Sequence, residues 1–124
     1  MTQRRTSHLR IKAQIFRGKD IAIGPGKADL LEAVEQSGSI AAAGRRLGIT
    51  YRRTRDMIDT LNQCWGCPVV ETEKGGKSGG GSRLTPRGRA VLSAYRTLEQ
   101  ALWATADQHG PALLDLLAPM DEAR

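Results

Sequence analysis

Between Ser39 and Trp65 the chain reads SIAAAGRRLGITYRRTRDMIDTLNQCW, and this stretch leaves few folds open. Gly38 stands where a left-handed helix cap is usual, and Ser39 is a good N-cap for a helix beginning at Ile40. That helix is short and rich in alanine, so Ala41 to Ala43 let another backbone approach closely. Gly48 supplies a tight turn and Thr50 caps a second helix. The inner face of that helix is Thr54, Ile58, Leu61 and Trp65, at spacings of four, three and four. Gly66 and Pro68 end it.

Two short helices crossing through a tight turn are a helix-turn-helix. The second helix opens with Tyr51, Arg52, Arg53 and Arg55. With Arg45 and Arg46 these arginines fall within eleven residues that contain no acid. A DNA reader needs a rigid helix pair whose second helix projects its first turns into the major groove. Arginine suits guanine edges and phosphates bidentately, and Tyr51 can donate to a phosphate or pack on a sugar. A solvated basic face on an ordinary helical domain gives the same pattern, so the flanking segments matter.

On the C-terminal side, Val69 to Glu73 reads as a short strand. KGGKSGGGS comes next, with five glycines in nine residues, and Arg83-Leu84-Thr85 reads as the partner strand. A strand, a glycine-rich tip and a strand directly after a helix-turn-helix form a wing. Lys74, Lys77 and Arg83 surround the tip, and no acidic residue occurs from Lys74 through Leu98. Glycine allows such a loop to lie close along a backbone or a minor groove. A phosphate-binding P-loop is not supported, because Glu71 occupies the position where its first glycine is required.

On the N-terminal side, Leu9 to Phe16 alternates apolar and polar residues, which predicts a half-buried strand. Gly18-Lys19-Asp20 is a turn and Ile21 to Ile23 a short return strand, together a hairpin. A helix starts after Gly24-Pro25-Gly26, with Leu30, Leu31 and Val34 as its apolar stripe.

Thr85-Pro86 caps a last long helix, predicted to reach about Gln108, where Gly110-Pro111 breaks it. Val91, Tyr95, Leu98 and Leu102 recur along it at four, three and four. They can cover the domain's own core or pair with a second copy. The length of the helix beyond a small winged domain favours the second copy. The expected fold is α+β and mainly α: residues 1–8 a tail, 9–85 a winged helix-turn-helix with its N-terminal hairpin, 86–108 the dimerisation helix and 109–124 a C-terminal tail.

Composition agrees with a polyanion partner. Nineteen Lys and Arg against thirteen Asp and Glu leave a net charge of +6, which favours nucleic acid through counterion release. No apolar run approaches the roughly 20 residues of a membrane span, and Lys12 and Gln14 interrupt any signal-peptide core. Cytoplasm is the expected compartment, with no membrane partner. Cys64-Trp65-Gly66-Cys67 is a C-x-x-C at the C-terminal end of a helix, where the dipole disfavours thiolate. It supplies only two ligands to a metal. No metal, cofactor or catalytic constellation is expected, so the chain does not read as an enzyme.

These residues resemble the N-terminal domain of the ModE-type molybdate-responsive transcription regulators, a winged helix related to that of LysR-type regulators. The resemblance spans about Leu9 to Leu102. It rests on G-S-I-x-A-A, on G-I-T-Y-R-R and on a wing ending R-L-T-P-x-G. It implies a homodimer that binds double-stranded DNA. Contacts carry over onto Thr50, Tyr51, Arg52, Arg53 and Arg55, and wing contacts onto Lys74, Lys77 and Arg83. The dimer is expected to join mainly through the helix after the wing. Members of that family carry further domains that bind molybdate, and this sequence ends at Arg124, so molybdate binding is not expected. The competing expectation is a winged-helix interaction module that binds a protein through its last helix.

Overall fold

The computed structural model describes residues 7–73 and 81–120. Lys74 and Lys77 lie outside the described residues. The helices and hairpins expected from the sequence are present, in the order β1 (Ile15–Arg17), β2 (Asp20–Ile23), α1 (Pro25–Ser37), α2 (Ile40–Leu47), α3 (Tyr51–Cys64), β3 (Val70–Glu73), β4 (Gly81–Leu84) and α4 (Pro86–Leu114). The strands form two separate antiparallel pairs, β1 with β2 and β3 with β4.

Helix boundaries obey local chemistry. Gly38 ends α1 at φ 80° and Gly48 ends α2 at φ 74°, conformations that only glycine adopts without strain. The side chains of Ser39, Thr50 and Thr85 accept from the backbone N–H three residues on, capping α2, α3 and α4. The core gathers Ile23, Leu30, Leu31 and Val34 with Ile58 and Leu61 of α3, Val69, Val70 and Leu84 at the wing, and Val91 and Tyr95 of α4. Thr54 is also fully buried. It is satisfied locally, because its hydroxyl donates to the Thr50 carbonyl at 2.7 Å.

The N-terminal segment departs from expectation. Only Ile15–Arg17 is strand, and all three residues are exposed. Residues 7–14 instead run along α4: the Tyr95 hydroxyl donates to the Ala13 carbonyl at 2.8 Å, and the Leu9 side chain lies over Gly110. Alternation thus fits an extended segment on a helix as well as it fits a strand in a sheet.

The last helix also runs further than expected. It passes through Gly110 and Pro111 to Leu114, and the Asp115 N–H returns to the Pro111 carbonyl at 2.9 Å. Pro111 sits in the final turn, so helical bonding resumes at once and the missing N–H breaks little. Gly110 is buried because Leu9 covers it, and a Cβ there would meet Leu9 at 2.9 Å.

Candidate nucleic-acid interface

The crossing of α2 and α3 is what aims the second helix. Gly44 is buried against Thr54, and a Cβ on Gly44 would stand 2.5 Å from Thr54 Oγ1 and 3.3 Å from the Ile49 carbonyl. The two helices therefore meet at the distance that a bare backbone allows. The far end of α3 is tied down as well. The Trp65 indole N–H donates to the Ala22 carbonyl at 2.9 Å. Asn62 Oδ1 accepts from the Val69 N–H at 2.8 Å, so the helix also places the start of the wing.

From this frame the first turns of α3 project into solvent. Thr50, Tyr51, Arg52 and Arg53 are exposed, Tyr51 by 58%. Arg52 and Arg53 form no ion pair with any described residue. Arg55 is half-exposed and lies 3.8 Å from Asp59 one turn later, a loose pairing that a phosphate can replace. Arg46 donates to Gln36 of α1 at 2.8 Å, which holds one more cation beside the group, and Arg45 is exposed next to it. Burial lowers the pKa of Lys27; Cys64 raises it, Arg53 lowers it and Asp20 raises it. Lys27 of α1 is half-buried and close enough to Arg53 for that arginine's charge to act on it.

The wing is joined to the same frame. The Ser82 N–H donates to the Gly38 carbonyl at 2.8 Å, which fixes β4 against the end of α1. Thr85 both accepts from the Gly88 N–H and donates to the Pro68 carbonyl, at 3.0 and 2.7 Å. Gly88 itself lies on the Val69 carbonyl with no space for a Cβ. In the hairpin, Val70 and Leu84 pair inward, while Glu71 and Arg83 pair outward. Arg83 is therefore not a bare cation. It donates to Glu71 at 3.0 Å and lies 3.7 Å from Glu73, and the hydrogen bond to Glu71 leads the causes that raise its pKa.

The α4 residues divide. Val91 and Tyr95 are buried in the chain's own core, at 8% and 4% exposure, Leu102 is half-buried and Leu98 is 40% exposed. The open side of the helix is instead Ala90, Ala94 and Leu98. It borders an apolar groove of about 320 Å³ whose other walls include Ile15, Ile23 and Trp65. Small alanines give little hydropathic signal, so the four-three pattern took in Leu98 of the open side but not its alanines. Cys64 and Cys67 are free and half-buried. No group of three metal-ligating side chains occurs among the described residues.

Residues 27–89 match the family of bacterial regulatory helix-turn-helix proteins, lysR family. The chain belongs to that family. The matched span runs from α1 through the wing into α4, so it takes in the whole helix-turn-helix and the hairpin attached to it. This lysR-family chain is 39% identical over 80 residues to the molybdenum-pterin-binding protein MopA of Rhodobacter capsulatus, covering 64% of this chain and 30% of that protein. It is 40% identical over 78 residues to the molybdenum transport protein ModE of Azotobacter vinelandii, covering 63% and 29%. It thus spans about 30% of the length of these curated relatives. Among solved structures it is similar to a CbnR DBD–DNA complex, with a TM-score of 0.56 over 71% of this chain and 95% of that one. At 23% identity this likeness shows the winged helix-turn-helix fold. No helix among the described residues is long and apolar enough to cross a membrane.

Proposed function

We propose that this lysR-family chain regulates transcription by binding double-stranded DNA sequence-specifically as a homodimer. The observation that carries the reading is the exposed Arg52 and Arg53, without an ion pair among the described residues, on the first turn of a helix whose direction the Gly44–Thr54 contact fixes. Arg52, Arg53 and Arg55 divide between base edges and phosphates, with Thr50 and Tyr51 on the backbone. Lys74, Lys77 and Arg83 serve flanking phosphates or the minor groove. Selection of duplexes from a random pool, then mobility shifts over salt, tests this. An enriched pseudo-palindrome is expected, with half-sites about one helical turn apart or a multiple of it. A pool that enriches no motif would overturn it.

The dimer reading places Ala90, Ala94 and Leu98 of α4 against the same face of a second copy, with Leu102 beside them. Their exposure beside an apolar groove supports this, since Val91 and Tyr95 are already used internally. Sedimentation at micromolar concentration should show a dimer that Ala94→Arg dissociates.

The reading assigns no catalysis to the chain, whose family is regulatory, and puts it in the cytoplasm with bacterial DNA. It also assigns no molybdate site to the described residues. A tetrahedral oxyanion needs converging N–H and cationic donors, and Arg87 is the one charged residue lining the apolar groove. Calorimetric titration with molybdate is expected to give no saturable heat; saturable micromolar binding would overturn that assignment.

A further inference from the structure

We infer that Arg96 is a positioning residue for DNA recognition: it sets the angle between α4 and the helix-turn-helix, and through it the half-site spacing that a dimer accepts. The inference rests on the proposed dimer. Arg96 Nη2 donates to Asp29 Oδ1 and Glu32 Oε1, both at 2.8 Å, and Nη1 donates to Glu99 Oε1 at 2.9 Å. Asp29 and Glu32 lie on α1, and Glu99 lies one turn along α4. One planar fork therefore joins the two helices, a geometry that a lysine ammonium does not reproduce. Burial opposes the charge of Arg96, but the hydrogen bonds to Asp29, Glu32 and Glu99 more than offset it and raise the pKa.

The place of this clamp gives it leverage. Val91 and Tyr95, just before it, belong to the core, and no α4 residue after it does. Helix α4 has 29 residues, so its last five turns extend roughly 25 Å beyond the clamp at 1.5 Å per residue. A rotation of about 10° at Arg96 moves that end by about 4 Å, more than the ~3.4 Å rise of one base pair. Helix α1, at the other side of the clamp, packs on α2 and α3. Whatever angle the clamp holds is passed directly to the reading helix. Stability alone does not call for three carboxylates here. The side chains of Asp29 and Glu32 are 56% and 46% exposed, and exposed pairs of this kind contribute little.

The test is the double variant Asp29→Ala, Glu32→Ala. It removes both hydrogen bonds from Arg96 to α1 and leaves Arg96 paired with buried Glu99. Affinities are measured for duplexes that carry the selected half-sites with spacers changed by one and two base pairs. Wild type is expected to reject a one-base-pair change by about tenfold. The variant should accept it to within about threefold, with dimerisation and thermal midpoint unchanged. Loss of two negative charges tightens every duplex alike, so it leaves the ratio between spacers untouched. Arg96→Lys should give an intermediate profile. A variant that keeps the wild-type spacer profile would overturn the inference. Wild type that binds single half-sites as a monomer would overturn the dimer reading itself, and this shows in the wild-type series alone.

Discussion

Gly44 of α2 and Thr54 of α3 touch so closely that a single methyl group on Gly44 would stand 2.5 Å from Thr54 Oγ1. Glycine is a poor residue for a helix interior, so its use here reflects the crossing and not the helix. Gly44→Ala is expected to destabilise the fold by about 1–3 kcal/mol through overpacking, despite the better helix propensity. Thr54→Ala removes the clashing hydroxyl, so the double variant should cost less than the sum of the two singles. Urea denaturation of the four proteins measures this coupling. Strict additivity would mean that the helices slide apart freely at this point.

Arg52 and Arg55 should separate base reading from phosphate binding. Arg52 is exposed on the first turn and has no ion-pair partner among the described residues. Replacing it by alanine should cost about 1–3 kcal/mol on the selected duplex and relax preference at one base position, if it reads a base edge. Arg55 stands one turn before Asp59 and is half-exposed. Its loss should weaken all duplexes similarly and lower the salt slope by about one. Mobility shifts on the selected duplex and single-base variants distinguish the two patterns.

Much of the frame is legible in the sequence because its causes are local. Gly38, Gly48, Ser39, Thr50 and Thr85 mark helix ends by their own conformational chemistry, and each does so in the structure. What escaped depends on contacts distant in sequence. Leu9 covers Gly110, and Tyr95 reaches Ala13, so the N-terminal residues run along a helix instead of joining a sheet. Nothing within either segment encodes the other. In α4, apolar periodicity brought together Val91 and Tyr95, which the chain itself buries, and Leu98, which it leaves exposed. The rest of that open face is Ala90 and Ala94, residues too small to stand out. In the wing, the glutamates paired with Arg83 are visible in the sequence, but only the strand register places them opposite it.

That register makes a prediction about the wing. Arg83 is exposed and held between Glu71 at 3.0 Å and Glu73 at 3.7 Å. The two acids compete with any phosphate for it and repel the duplex themselves. Glu71→Gln with Glu73→Gln should therefore tighten binding to every duplex without changing sequence preference, and steepen the dependence on salt. Since the pairs are solvent-exposed, the thermal midpoint should move little. Unchanged affinity in a low-salt titration would take Arg83 out of the interface.

Tyr95 links α4 to the N-terminal segment and makes a prediction in pH. Its hydroxyl donates to the Ala13 carbonyl at 2.8 Å while its ring sits in the core. Tyr95→Phe keeps the ring and should cost about 0.5–1.5 kcal/mol, the net worth of one hydrogen bond. Burial raises the phenol pKa, with Glu99 adding in the same direction. The folded state thus prefers the neutral phenol, and this contribution is complete below the unfolded value near 10. It is lost as pH rises through the higher folded value. Phenylalanine has no proton to lose, so the stability advantage of wild type should shrink as pH rises above about 10 and be constant at lower pH. Urea denaturation of both proteins at pH 8, 10 and 11.5 measures the difference. An advantage that stays the same at all three values would show that the phenol does not titrate against the fold.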